Sequence, residues 1–160
     1  MKMKISMDQE ACSLIPVFIP VFDQRLTFIY GDDFDLIEKW IENDIRENVI
    51  LKNAKTLRKI LKELRKEHDK HEGCYIHRKN WRIIYVKKQN TLIDFLKITI
   101  HEVYHATQEI LHHIGVTPTD SSEEVYAYLN EYIMNEIMKE MLKEEEEEKK
   151  QIYKYEEAEV

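Results

Sequence analysis

Residues Thr91 to Gly115 read TLIDFLKITIHEVYHATQEILHHIG, and within them His101-Glu102-Val103-Tyr104-His105 spells HExxH. Leu92, Phe95, Leu96, Ile98 and Thr99 surround the motif at helical spacing, Asn90 or Thr91 can cap the first turn, and Gly115 is a natural stop. The spacing predicts one long helix ending near His113, with the small Ala106 where packing is close. Helical residues four apart lie about 40° apart around the axis and about 6 Å along it. Two imidazoles so placed can close on one ion at Zn–N distances of about 2.0–2.1 Å. Glu102 sits about 100° round from His101, at the flank of the pair. From there its carboxylate can take a proton from a water whose pKa zinc lowers toward about 7. With 7 His and 22 Glu in 160 residues, chance gives such a string roughly four times in a hundred chains. Its helical context therefore has to carry the reading.

A zinc enzyme needs a third protein ligand and an open fourth position. The same helix cannot supply it, because Glu109 lies about 12 Å along the axis from His101 and His112 is farther still. Gly115 to Asp120 turns the chain back, and the next helix opens Ser121-Ser122-Glu123-Glu124-Val125-Tyr126-Ala127-Tyr128. Glu123 and Glu124 stand 18 and 19 residues beyond His105, and the spacing permits either. Leu111 occupies the place where a metzincin pattern would put a third histidine.

HEVYHATQEIL followed by GVTPTDSSEEVYAYLNEYI resembles the small HExxH proteins of phages and mobile elements, which are similar to gluzincin metallopeptidases reduced to a minimal core. The resemblance covers Thr91 to Ile133. The strand WRIIYVKK and the earlier Gly31-Asp32-Asp33 segment with its helix match more loosely. It implies an α+β, zincin-like fold: a small mixed or antiparallel sheet packed with the HExxH helix and a C-terminal glutamate-bearing helix. It also implies one zinc ion per chain, with His101, His105 and Glu124 as ligands, the last being the glutamate three residues before the Ala127-Tyr128 pair. Glu102 would be the general base of a metallopeptidase acting on a peptide or protein.

In gluzincins the strand before the active helix rims the cleft and pairs with substrate. Trp81, Arg82, Tyr85 and Lys87 would then flank the groove, unless this is an ordinary strand with a charged edge. Tyr126 and Tyr128 are candidate donors to a developing oxyanion. One departure is that Tyr128 stands where thermolysin has an aspartate four residues after its glutamate ligand. The same fold without catalysis would be a zinc-binding interaction or assembly protein. Glu102 discriminates the two, since hydrolysis needs it and ligation does not.

The rest of the chain fits one domain over residues 1–143, with 144–160 a charged helical extension or frayed tail. Val17 to Phe22 and Leu26 to Tyr30 read as strands joined by Asp23-Gln24-Arg25, the first an edge strand because of Pro16 and Pro20. Asp33 is placed to cap a helix with Phe34, Ile37, Trp40, Ile41 and Ile45 on one face. Leu57, Ile60, Leu61 and Leu64 mark a second helix from about Lys52 to Lys70, its outer face a solvated charged surface. Cys74 to Ile76 and Trp81 to Lys87 read as strands around a Lys79-Asn80 turn. In the tail, Glu145–Lys149 and Glu146–Lys150 are favourable pairs worth about 0.2–0.5 kcal/mol each.

With 24 basic against 31 acidic residues the net charge is -7, the wrong sign for broad phosphate neutralisation, so no nucleic acid is expected. No apolar run is long enough for a membrane span. Two cysteines, Cys12 and Cys74, and no signal-peptide pattern at Met1 to Met7 point to a reduced, cytoplasmic setting, that of the host if the chain is viral. His68, His71, Cys74 and His77 form a second pattern of four possible ligands, too tightly spaced to gather easily on one tetrahedral ion.

Overall fold

Alternation decides the first strand. Ser13, Ile15, Val17 and Ile19 are buried while Pro16 and Phe18 are exposed, so β1 spans Ser13–Ile19 and starts four residues before the expected Val17. The prolines that mark it as an edge also obscure its period. Its expected end is instead a 3-10 turn, Pro20–Phe22, after which Asp23 in the left-handed region (φ 48) swings the chain into β2, Gln24–Tyr30. The structure, a computed structural model, describes residues 12–48, 54–79 and 81–158. Met1 to Met7, the expected helix start at Lys52 and the Asn80 half of the hairpin turn lie outside them. So do the side chain of Ile45 and the Glu145–Lys149 and Glu146–Lys150 pairs.

Asp33 caps α1, Phe34–Asn48, by accepting from the Leu36 amide at 2.9 Å, as expected. Then follow α2 (Ala54–His68), β3 (Gly73–Arg78), β4 (Trp81–Val86), α3 (Leu92–His113) and α4 (Glu123–Ala158). The fold is α+β, with a four-stranded mixed sheet in the order β1-β2-β4-β3 and four helices. β1 pairs antiparallel with β2, β2 parallel with β4, and β4 antiparallel with β3. Pro16 opposite Thr27 therefore lies on an edge strand, where a missing N–H costs the sheet nothing.

Helices cover both faces, which is why five of the six β4 residues are buried. On one face Phe28, Tyr30, Ile84 and Val86 pack against Phe95, Val103, Ala106 and Ile110 of α3 and against Leu129, Ile133 and Ile137 of α4. Phe95 meets Phe28 and Tyr30 edge-on at 6.2 and 5.0 Å. On the other face Ile29, Ile83 and Tyr85 pack against Ile37 and Ile41 of α1 and Leu57, Ile60 and Leu64 of α2. The buried stripe of α4 runs to Met141, while the helix itself continues to Ala158. Among the described residues no helix is long and apolar enough to cross a membrane.

Candidate metal centre

Helix α3 is held at both ends by local chemistry. The Thr91 hydroxyl accepts from the Asp94 amide at 3.1 Å, a cap that satisfies one of the free donors of the first turn. At the other end Gly115 takes a left-handed φ of 83, its amide bonds His112 O at 3.0 Å and the Val116 amide bonds Leu111 O at 2.8 Å. These two bonds define a Schellman stop. The motif thus sits in the middle of a firm helix, with Val103 and Ala106 buried beneath it and His101 and His105 exposed above.

The two imidazoles meet edge to face, and their Nε2 atoms are 3.1 Å apart. Two ligands of a tetrahedral zinc stand about 3.3–3.4 Å apart when each bond is about 2.0–2.1 Å. The rings therefore need to open by only a few tenths of an ångström. A shared cation would need the Nε2 lone pair of both rings, with any ring proton carried on Nδ1.

Glu102 is the buried polar member of the motif. It is 7% exposed and runs between α3 and the edge strand β3. A Cβ at Gly73 would meet Ile98 Cγ2 at 2.4 Å and Glu102 Cγ at 3.3 Å, so glycine is what lets β3 approach this close to the carboxylate. Burial pushes the Glu102 carboxyl above its ordinary pKa, and the neighbouring His101 and His105 charges and the Tyr75 backbone N–H pull it partly back. An open groove of about 690 Å³ runs from Glu102 and His105 to Glu109 and His112. Gly73 to Tyr75 of β3 form one side, and Pro118 and Tyr126 stand farther along.

One turn beyond the motif lies a cluster that sequence reasoning missed. Glu109 accepts from Arg82 Nε at 2.6 Å and from the Tyr75 hydroxyl at 2.9 Å, and pairs with His77 Nδ1 at 3.0 Å. Burial alone would raise its pKa, but the Arg82 guanidinium, the Tyr75 hydroxyl and His77 outweigh that and hold the carboxyl low. The partners lie 27 to 34 residues away in sequence, and only the period-2 alternation of β3 and β4 could have hinted that Tyr75, His77 and Arg82 share the face toward α3.

Several expected site residues lie elsewhere. β4 is interior, paired on both sides, so substrate cannot add to it; the sheet edge at the groove is β3. Arg82, with only 4% of its side chain exposed, is committed to Glu109. Tyr85 is 1% exposed on the opposite face, its hydroxyl donating to Gly31 O at 2.9 Å and accepting from His68 Nδ1 at 2.5 Å. Trp81 packs toward that same face. Tyr128 is 66% exposed, and it is Tyr126 that borders the groove, donating to Val116 O at 3.1 Å.

Glu123 and Glu124 are both exposed in the first turn of α4. Thr107 donates to Asn130 at 2.9 Å, which sets the register between α3 and α4. Counting from that bond, Glu124 is eight residue steps, about 12 Å, from the level of His105. Among the described residues no three of His, Cys, Asp and Glu come close enough to hold a metal together. The second pattern is equally dispersed, with His68 on Tyr85, His71 on Glu67 at 3.4 Å and His77 on Glu109. Cys74 is half-buried, and burial first, then Glu102 and Glu67, raise its thiol to about 12. Compared with family models, curated proteins and solved structures the chain finds no match, so the reading of this centre rests on its own side chains.

Proposed function

We propose that the chain is a zinc-dependent hydrolase of the gluzincin-like kind, a metallopeptidase, with His101 and His105 as ligands and Glu102 as general base. The observation that carries this reading is the 3.1 Å approach of two helix-borne Nε2 atoms, with a buried glutamate next to them. A bound zinc ion would acidify a water and polarise a carbonyl oxygen. Everything else is supplied by the chain. Glu102, partly desolvated and lodged against β3, is suited to accept and return a proton at the mouth of the groove. β3 offers an unpaired strand edge along which an extended peptide can lie, with the groove to receive its side chains.

The third ligand in this reading is Glu124, as the resemblance implies, and it requires the first turn of α4 to approach the histidines. The separation of Glu124 from them favours a second reading, a non-catalytic zinc-binding interaction or assembly protein. Comparing Glu124→Gln with Glu123→Gln by zinc titration tests the third ligand. Affinity should fall at position 124 alone, and a fall at 123 instead would move the ligand by one residue.

The direct test of catalysis is Glu102→Gln, which keeps volume and removes the base. In a zinc-loaded protein that cleaves an unstructured peptide pool, this change should cost about 10²–10⁴-fold in rate without loss of metal. Equal turnover in the two proteins would refute the role of Glu102.

A further inference from the structure

The face of the molecule away from the metal centre carries a feature that the net charge hides. Lys55, Arg58, Lys59, Lys62 and Lys66 are all exposed on α2. At 100° per residue they fall within an arc of about 100°, opposite the buried stripe of Leu57, Ile60, Leu61 and Leu64. The two acids of the helix sit at its flanks and are drawn away from that arc, Glu63 to Arg78 at 2.6 Å and Glu67 to His71 at 3.4 Å. Among the described residues none of the five cations makes an ion pair within 4 Å. Arg65, at the other flank, is held by Glu38 at 2.6 Å. The outcome is a ridge of five unneutralised cations about 16 Å long.

We propose that this ridge binds the phosphate backbone of a nucleic acid duplex. A duplex carries one phosphate per strand every 3.4 Å or so of axis, so about 16 Å presents roughly five on each strand, matching the five cations. A membrane surface fits less well, because the apolar face of α2 is already spent on the sheet and cannot insert. A protein partner fits less well too, since the ridge has no aromatic or aliphatic anchor and lysine is depleted at protein interfaces. The acidic α4 packs on the other side of the sheet, with α3 and β1. At physiological salt charges separated by more than about 8 Å are largely screened, so the ridge acts by its local charge and not by the -7 of the whole chain.

The test is fluorescence anisotropy of labelled DNA and RNA duplexes of mixed sequence with the full chain, between about 50 and 200 mM salt. Binding should weaken with salt with a log–log slope of about −4 to −5. Lys59→Gln/Lys62→Gln/Lys66→Gln should make the slope shallower by about three and weaken binding at least tenfold. Lys97→Gln/Lys139→Gln/Lys143→Gln, an equal charge change on α3 and α4, should leave both nearly unchanged. No binding to either duplex at low salt overturns the proposal. Equal weakening in the two variants overturns it as well, since net charge alone would then explain the binding. Sedimentation at the same salts detects the rival occupant, the acidic helix of a second copy. A salt-sensitive dimer lost only in the α2 variant, with no duplex binding, assigns the ridge to self-association instead. Zinc content is unaffected in every arm, so the outcome is independent of the metal centre.

Discussion

Two polar clusters lie about one turn apart on α3, and they are built on opposite plans. Around Glu109 every partner is in place: a guanidinium, a phenol and an imidazole converge on one carboxylate, and the charges cancel in situ. Around His101 and His105 the partners are each other, both side chains are exposed, and among the described residues no acidic side chain completes the set. A closed cluster of the first kind fixes where α3 sits on the sheet. An open one of the second kind, on a helix whose two ends are capped, leaves its two rings exposed and free of any structural duty, which is what the proposed zinc site requires.

The contrast fails first if the open cluster holds no metal. His101→Ala and His105→Ala should each abolish most bound zinc by elemental analysis. Because both rings are exposed, the unfolding free energies of the metal-free variants should stay within about 0.5 kcal/mol of the metal-free wild type. Zinc retained in both variants would detach the ion from the motif. The closed cluster should respond in the opposite sense. Glu109→Gln strands the Arg82 guanidinium, and denaturant melts should show a loss of about 3 kcal/mol, the low end for a broken buried pair because Glu109 is 23% exposed, with zinc content unchanged.

Packing at the joint between the clusters gives a smaller effect. Gly73→Ala forces a methyl against Ile98 Cγ2, and overpacking of this kind costs about 1–3 kcal/mol. It should also lower any hydrolytic rate, since the same methyl presses on the Glu102 stem. Smallest is a pH effect. The Glu109 carboxyl has a lower pKa folded than unfolded, so its stabilisation is complete above the ordinary carboxylate value of about 4.3 and fades as pH falls through the folded value. Melts across that acidic range should show a drop in wild-type stability that Glu109→Gln lacks.

What could be read in the sequence was local. The cap at Thr91, the stop at Gly115, the HExxH register and the Asp33 cap each depend on residues within a few positions, and all have the expected form. What could not be read depended on pairing across the chain. The order of strands decides that β3, not β4, is the edge at the groove, and that Tyr85 turns from the site toward His68. No period in WRIIYV distinguishes those outcomes, because a strand buried on both faces is apolar throughout. The tight contact of Gly73 with Ile98 and Glu102 follows only from how α3 crosses the sheet. The displacement of Glu124 likewise arises from the Thr107–Asn130 register between two helices, which the loop length left free.

The sheet order also dictates the sequence of events by which the chain can assemble. β1 with β2, and β3 with β4, are hairpins whose nearest pairs are Ile19↔Gln24 and Arg78↔Trp81, a few residues apart. The parallel seam joins Thr27 to Ile83 across more than fifty residues. Closing it costs about 2 kcal/mol more chain entropy than closing either hairpin. The two hairpins and α3 can therefore form quickly and separately, and the seam between β2 and β4 is the slow, late step that brings the two halves of the sheet under one helix. A chain stalled before that step would already carry the paired histidines on α3, while the double-sided burial of β4 would still be missing.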